Sequence, residues 1–205
     1  MKWEPLLIPG WLPLWWSVSD HRLKPAVFLD RDGTISEEVG YLNHVSRFCM
    51  FPFAPLAIRK LNERGLLVFV ITNQSGVGRG YYPESLVHTV HDLMTQQLAE
   101  AGAHFDGIYY CPHTSDDACA CRKPGPGMLD QASAEHGVDL TRSFVVGDRH
   151  HDVELAHRVG ARSIMVRTGY GQGEILWHAP KWKLKPDFIA ADLGAAAAWI
   201  LEQTS

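Results

Sequence analysis

A short apolar run that ends in two closely spaced aspartates constrains this chain more than any other feature. Residues 27–29 are apolar, Asp30 and Asp32 follow, and Gly33 and Thr34 come directly after them. Such a run is typical of a strand buried on both faces, and open parallel sheets bind ligands outside the carboxyl ends of their strands. Two carboxylates this close repel each other unless a cation joins them, so the spacing predicts a divalent metal site with oxygen ligands, which favour Mg²⁺. The alternative is an ordinary turn, because Asp and Gly are common in loops.

Apolar runs of strand length alternate with amphipathic segments from residue 25 to the end of the chain. This alternation predicts right-handed crossovers and therefore an α/β fold, a Rossmann-like parallel sheet with helices on both faces. Glycine after a helical segment and proline in its first turn set several of the boundaries. The predicted strands are 27–29, 66–71, 105–110, 143–146 and 163–166, with an edge strand at 187–189; the predicted helices are 54–64, 83–101, 127–136, 152–159 and 192–203.

Length and charge limit the classes of protein to which the chain can belong. With 205 residues, the chain is long enough for one domain with a substantial core, which we assign to residues 25–205. The formal net charge is −4 without a Lys/Arg run, and this argues against a nucleic-acid partner.

The first 24 residues differ from the rest, because four tryptophans are crowded among three prolines. The apolar stretch is too short and too interrupted to span a bilayer, and the prolines also spoil the apolar core of a signal peptide. We therefore predict a Trp-rich arm at residues 1–24 that packs on the domain or on a second subunit. The predicted assembly is a monomer or a weak homodimer, with no membrane partner.

Two further strands also end in polar residues suited to phosphate or metal. Residues 72–76, Thr-Asn-Gln-Ser-Gly, follow the second strand, and clustered hydroxyl, amide and backbone donors of this kind hold phosphate. A loop of small polar residues is the alternative. Asp148 follows the fourth strand and is predicted to complete the metal site with Asp30 and Asp32. Asp152 falls on the same helical face as Asp148, either as part of the site or as an acidic residue that stabilises the helix dipole.

Soft metal ligands are concentrated between the third and fourth strands. Cys111, His113, Cys119 and Cys121 lie within eleven residues of one another. A full set of four such ligands suits tetrahedral Zn²⁺ in a structural site with no open position. Disulfide bonds, which need an oxidising compartment, and reduced cysteines without a ligand are the alternatives. Residues 122–124, Arg-Lys-Pro, follow directly, so a rigid zinc loop would hold two cations over the sheet.

Taken together, these segments resemble a known family. Residues 30–34 (Asp-Arg-Asp-Gly-Thr), residues 72–76, residues 122–124 and Gly147-Asp148 are similar to the four ordered motifs of the haloacid dehalogenase-like phosphatases. The zinc loop resembles one branch, which contains the D-glycero-D-manno-heptose 1,7-bisphosphate phosphatases and the histidinol-phosphate phosphatases. Residues 72–81, 125–127 and 166–169 look more like the heptose enzymes. Arg149 departs from the lysine that is usual in their corresponding motif, although arginine also binds phosphate.

The resemblance implies a mechanism and a set of roles. Asp30 would be the nucleophile that forms an aspartyl-phosphate, and Asp32 the general acid and base. Mg²⁺ would be held by the Asp30 carboxylate, the Asp32 backbone carbonyl and Asp148, while Thr72 and Lys123 bind the phosphoryl oxygens. The implied substrate-binding residues are Arg31, Glu38, Val39, Gly40, Tyr41, Asn73, Gln74, Ser75, Arg122 and Arg149.

The family also implies a substrate and a compartment. No insertion is long enough for a large cap domain, so the site would be open, with the zinc loop and residues 37–51 at its rim. We expect a cytoplasmic phosphatase that removes the C7 phosphate of a heptose 1,7-bisphosphate in the biosynthesis of nucleotide-activated heptose for surface glycans. The alternatives are a histidinol-phosphate phosphatase, a catalytically silent zinc-stabilised binding module, and a phosphotransferase, which usually needs a cap.

Overall fold

A six-stranded sheet forms the centre of the computed structural model, which describes residues 23–204. The strands in chain order are β1 (Ala26–Leu29), β2 (Leu67–Asn73), β3 (Gly107–Cys111), β4 (Phe144–Gly147), β5 (Arg162–Val166) and β6 (Phe188–Ala190). The order across the sheet is β3-β2-β1-β4-β5-β6, and every neighbouring pair is parallel. The chain therefore reverses its direction of strand addition between β1 and β4. At such a point the connections leave the sheet in opposite directions and open a crevice.

Helices cover both faces of the sheet, which confirms the predicted fold class. They are α1 (Ala54–Glu63), α2 (Glu84–Glu100), α3 (Gly127–His136), α4 (His150–Val159), α5 (Gly171–Trp177) and α6 (Leu193–Gln203). The side chains of β1 alternate between two cores. Val27 and Leu29 pack with α1, α2 and α6, whereas Ala26 and Phe28 pack with α3 and α4. All four residues of β1 are fully buried, as expected for a central parallel strand.

The predicted elements correspond to observed ones, apart from their ends, and one helix was not predicted. β3 begins at Gly107 and ends at Cys111, later than predicted at both ends. Just before its start, the Asp106 carboxylate accepts a 2.7 Å hydrogen bond from the backbone N–H of Val68. The missed helix is α5, whose first turn carries Gly171 and Gly173, and glycine disfavours helix. Gly171 is required there, because a Cβ atom would overlap the carbonyl oxygen of Val166.

The predicted Trp-rich arm lies almost wholly outside the described residues, which begin at Leu23. Lys24, which we assigned to the arm, pairs instead with the domain: its backbone N–H donates to Gly137 and its carbonyl accepts from Asp139, both at 2.9 Å. Within residues 23–204, no insertion forms a cap domain, and no helix has both the length and the apolar character that crossing a membrane requires.

Candidate active site

A cavity of about 320 Å³ opens at the carboxyl ends of β1, β2 and β4. Its lining residues are Asp30, Asp32, Glu38, Gly40, Tyr41, Thr72, Asn73, Gln74, Ser75, Tyr82, Arg122, Lys123, Asp148, Arg149, His151, Asp152 and Tyr170. This volume suits a small polar molecule. Among the described residues, the cavity therefore brings together all of the predicted catalytic, substrate-binding and Mg²⁺-binding residues except Arg31 and Val39.

Asp30 lies at the floor of the cavity against a buried lysine. Its backbone N–H donates to the carbonyl of Val146 at 2.9 Å, which ties the end of β1 to β4. The ammonium nitrogen of Lys123 is 2.8 Å from Asp30 Oδ2 and 2.8 Å from Asp152 Oδ1. Lys123 is only 4% exposed, and its two carboxylate partners raise its pKa above the ordinary value despite burial. The lysine is therefore a fixed positive charge beside the predicted nucleophile.

Three aspartates converge beside this lysine. Carboxylate oxygens of Asp30, Asp148 and Asp152 lie within 4.8 Å of one another. Burial raises the pKa of Asp30 to about 7, with the nearby Asp152 carboxylate adding to the effect and Lys123 opposing it. Burial also raises the pKa of Asp148 to about 8, and the charges of Asp30 and Asp152 contribute. One ammonium group does not balance three buried carboxylates, so the arrangement fits a divalent cation with oxygen ligands.

The sequence left two roles open for Asp152, a part in the site or a part in stabilising helix α4, and the structure shows contacts of both kinds. Its Oδ1 pairs with Lys123, and its Oδ2 accepts a 3.2 Å hydrogen bond from the backbone of Arg149 at the start of α4. The side chain is therefore both a capping group for the helix and part of the site. Lys123 contacts Asp30 at the same distance as Asp152, so the carboxylates of Asp30, Asp148 and Asp152 together are the candidate ligands for a metal ion.

Gly33 is needed because the backbone passes very close to Asp148. Its φ of 80° lies in the left-handed region, and a Cβ atom would overlap the Asp148 carboxylate. The backbone N–H of Tyr170 donates to Asp148 Oδ2 at 2.7 Å, and the Thr168 hydroxyl donates to the Gly33 carbonyl at 2.5 Å. The first bond holds the Asp148 carboxylate and the second holds Gly33, so the segment after β5 fixes both residues where they meet.

The end of β2 supplies donors to the opposite side of the cavity. The Gln74 amide donates to Thr72 Oγ1 and to Asp32 Oδ2, both at 2.9 Å. Because Thr72 Oγ1 accepts this bond, its own hydrogen is directed elsewhere and is available for a phosphoryl oxygen. Asn73 exchanges two hydrogen bonds with the backbone of Lys123, at 3.0 and 3.2 Å, and so fixes the height of the lysine over the sheet.

Besides Asp152, which the sequence left open, three residues that line the cavity were not predicted: Tyr82, His151 and Tyr170. Two predicted residues, Arg31 and Val39, lie elsewhere. Tyr170 lines the cavity, and Arg149 stacks on its ring with the guanidinium carbon 3.6 Å from the ring centroid. The position of Tyr170, just past β5, was the available signal. Tyr82 donates a 3.2 Å hydrogen bond to Gln74. Val39 offers only its carbonyl, to Arg47 at 2.9 Å, and Arg31 is turned away from the cavity.

The soft ligands cluster on the loop after β3. The three sulfur atoms of Cys111, Cys119 and Cys121 are 3.2–3.5 Å apart, and His113 Nδ1 lies 3.2 Å from Cys121 and 3.6 Å from Cys111. All four cysteines of the chain are described and free, and these separations exclude a disulfide, whose sulfur atoms are about 2.05 Å apart. Four ligands about 2.0–2.3 Å from a central ion would be separated by similar distances, so the cluster fits tetrahedral Zn²⁺.

Replacing Cys121 by serine is expected to abolish zinc binding and lower the melting temperature by about 10 °C, since a structural zinc ion contributes directly to folding. Metal analysis of the purified protein and thermal unfolding measure the two effects. Cys49→Ser is the matched control, because Cys49 is exposed and lies outside the cluster. Equal zinc content in Cys121→Ser and wild type would rule out the predicted ligand set.

Comparison with known proteins now identifies the family. A family model described as "HAD-hyrolase-like" matches residues 120–196. The D-glycero-D-manno-heptose-1,7-bisphosphate 7-phosphatase of Thermosynechococcus vestitus is 40% identical over 188 residues, which cover 86% of this chain and 95% of the relative. The chain belongs to the haloacid dehalogenase-like phosphatases of this heptose-bisphosphatase family. It is therefore a phosphoric monoester hydrolase, and the predicted family is confirmed.

Two further relatives of this phosphatase agree with the assignment. The D-glycero-beta-D-manno-heptose-1,7-bisphosphate 7-phosphatase of Yersinia pestis is 38% identical, over 86% of this chain and 89% of its own length. A crystal structure of the D,D-heptose 1,7-bisphosphate phosphatase of B. bronchiseptica, complexed with magnesium and phosphate, matches with a TM-score of 0.80 and 32% identity. That match covers 87% of this chain and 99% of the other.

Proposed function

We propose that this phosphatase removes the C7 phosphate of D-glycero-D-manno-heptose 1,7-bisphosphate through an aspartyl-phosphate, on the way to nucleotide-activated heptose for surface glycans. The observation that carries the proposal is the pairing of Asp30 with Lys123 in a chain 40% identical, over most of its length, to a protein of that name. A cytoplasmic location and a monomer or weak dimer stay predictions.

In the first step an oxygen of Asp30 attacks the phosphorus atom of the C7 phosphate. The new bond joins Asp30 to phosphorus, while the bond from phosphorus to the sugar oxygen breaks. Asp32 gives its proton to that oxygen, so the sugar leaves as an alcohol. Lys123 and the Thr72 hydroxyl hold phosphoryl oxygens as charge shifts during the transfer, and the lysine is already in place beside Asp30.

In the second step water attacks the phosphorus atom of the aspartyl-phosphate. Asp32, now ionised, takes a proton from this water, the bond from Asp30 to phosphorus breaks, and inorganic phosphate is released. Both aspartates return to their starting states. Asp32 therefore acts first as an acid and then as a base, which requires its carboxylate to stay at one position through both steps.

Oxygen ligands from Asp30 and Asp148 and the Asp32 backbone carbonyl are the groups that would hold Mg²⁺. When bound, the ion would reduce the repulsion between the Asp30 carboxylate and the phosphate dianion. Asp148 is prepared for this by the Tyr170 backbone N–H, which fixes one of its oxygen atoms. Burial raises the pKa of both carboxylates, and the charges of neighbouring carboxylates add to the effect, which a bound cation would offset.

The second phosphate of a bisphosphate needs cations away from the reacting centre. Arg149 is pinned on the Tyr170 ring, and Arg122 donates a 3.2 Å hydrogen bond to the His113 carbonyl in the zinc loop. Both guanidinium groups line the cavity and present several donors to phosphate. Glu38 also lines it, and its carboxylate suits sugar hydroxyls rather than phosphate. The rim therefore fits a phosphorylated polyol.

The test is phosphate release from a panel of substrates with and without Mg²⁺. The panel holds both anomers of the heptose 1,7-bisphosphate, fructose 1,6-bisphosphate, histidinol phosphate and p-nitrophenyl phosphate. One heptose anomer is expected to give the highest kcat/KM, and removal of Mg²⁺ with a chelator is expected to lower its rate by at least about 100-fold, restored by added Mg²⁺ but not by Ca²⁺. The chelator should leave the zinc content unchanged, which metal analysis checks.

The other possible results of the substrate panel would each contradict one part of the proposed function. A higher kcat/KM for histidinol phosphate would show that the proposed substrate is wrong, whereas the proposed mechanism would stand. Full activity after complete removal of Mg²⁺ would contradict the metal's proposed part. No phosphate release from any substrate by folded, zinc-loaded protein would favour a silent binding module.

A further inference from the structure

Behind the general acid lies a buried chain of two polar side chains that line no part of the cavity. Arg31 is 1% exposed, although it follows the nucleophile directly in sequence. Its Nε donates to Asp32 Oδ1 at 3.1 Å, and its Nη2 donates to Asp32 Oδ2 at 2.8 Å. This two-point contact between planar groups fixes the orientation of the carboxylate as well as its position.

His91, on α2, holds the far side of the guanidinium. Its Nε2 lies 3.5 Å from Arg31 Nη1, and because a guanidinium only donates, the imidazole nitrogen must accept. Burial and the Arg31 charge lower the pKa of His91 to about 3, so the ring is neutral and keeps the lone pair that this contact needs. The ring also packs against Tyr110, with centroids 5.7 Å apart.

The hydrogen bonds to Asp32 are distributed unequally between its two oxygens. Oδ2 accepts from both Arg31 and Gln74, whereas Oδ1 accepts only from Arg31 among the contacts of residues 23–204. Oδ1 is therefore the oxygen with room for a proton in transit. The Asp32 side chain is 16% exposed, and without the guanidinium contacts only the Gln74 bond would remain of its side-chain hydrogen bonds within residues 23–204.

We propose that Arg31 and His91 are positioning residues that hold Asp32 in place for proton transfer and do not bind the substrate. The proposal rests on the proposed function, in which Asp32 is the general acid and base. His91 connects the guanidinium of Arg31 to the 17-residue helix α2, which adds a third contact that fixes the guanidinium beside Asp32. Arg31 thereby acts on the leaving group only through Asp32.

The test compares two leaving groups in the variants His91→Phe and His91→Gln. A sugar alkoxide needs a proton to leave, whereas p-nitrophenolate does not. Only the kcat/KM for the sugar substrate therefore depends on the general acid. For the sugar bisphosphate with the highest kcat/KM in the panel, His91→Phe is expected to lower kcat/KM by about tenfold, a part of the usual contribution of general acid catalysis. For p-nitrophenyl phosphate, the expected change is less than about twofold. His91→Gln, which restores an acceptor, should recover most of the loss.

Inhibition by inorganic phosphate separates positioning from substrate binding. The inhibition constant should be unchanged in His91→Phe, because neither Arg31 nor His91 lines the cavity. His88→Phe is the matched control: His88 is on the same helix and also contacts Tyr110, but it does not reach Arg31, so both substrates should react normally. An equal loss on both substrates, or weaker phosphate inhibition alone, would overturn the proposal.

Asp32→Asn, measured in parallel, shows which of the two proposals has failed. If Asp32→Asn affects the sugar selectively and His91→Phe does not, the positioning role is wrong and the mechanism stands. If Asp32→Asn affects both substrates equally, the general-acid role is wrong, and the positioning role is overturned with it. Neither result depends on which sugar bisphosphate is the best substrate, because each variant is compared with wild type on the same sugar.

Discussion

Asp30→Asn is expected to lower kcat by at least about 10⁴-fold, because an amide oxygen does not form the covalent phosphoryl intermediate on which the reaction depends. The substitution keeps the size of the side chain and the backbone contact to Val146. Removing one negative charge from a cluster of three buried carboxylates should not destabilise the fold. The expected protein is therefore folded, zinc-loaded and inactive, and phosphate release under saturating substrate measures it.

The intermediate itself gives a second measurement of the Asp30 role. Acid quenching during turnover should trap one phosphoryl group on wild-type protein, and peptide mapping should place it at residue 30; Asp30→Asn should trap none. Asp92→Asn is the matched control, since Asp92 is an exposed aspartate on α2. If Asp30→Asn kept more than a hundredth of wild-type activity, another residue would have to be the nucleophile.

Lys123→Met is expected to lower kcat by at least about 10³-fold, because it removes a fixed positive charge from the site of phosphoryl transfer. Methionine fills a similar volume but leaves Asp30 and Asp152 without the ammonium that lies 2.8 Å from each. Breaking a buried ion pair on one side costs about 3–5 kcal/mol of unfolding free energy. Steady-state kinetics and denaturant unfolding measure the two effects.

A double variant separates the two effects of Lys123. Lys123→Met combined with Asp152→Asn removes one of the unpaired carboxylates, so most of the lost stability should return while the activity does not. Asp152→Asn alone is the reference for the combination, as in any double-mutant cycle. Recovery of activity together with stability would mean that the lysine serves the fold and not the phosphoryl group.

The strand-and-motif pattern made most of this fold and much of its site predictable. Asp30, Thr72 and Asp148 each follow or end a buried strand, and parallel strands bring their carboxyl ends to one edge of the sheet. The proximity of these distant segments could therefore be predicted from the strand pattern, without knowledge of side-chain packing. The zinc loop was predictable for a similar reason, because its four ligands lie so close in sequence that their meeting is a local event.

Local sequence was a poor guide where a side chain had a choice of partners. The family resemblance implied that Arg31 binds the substrate, yet its side chain pairs with Asp32 and with a histidine sixty residues away. Asp152 combines a helix cap with an ion pair to Lys123, and Tyr170 reaches the cavity from beyond β5. Helix α5 was not predicted because its first turn carries two glycines, which disfavour helix.

The sequence by itself determined the order of strands and helices, the ends of strands where the site forms, and the residue types that its chemistry needs. These follow from hydrophobic periodicity and backbone geometry, which act over a few residues. Only the tertiary structure decided which charged groups became partners, because burial makes an unpaired charge costly and several long side chains compete for each carboxylate. Those pairings divide the polar residues of this site into the ones that face the cavity and the ones, Arg31 and His91, that stand behind it.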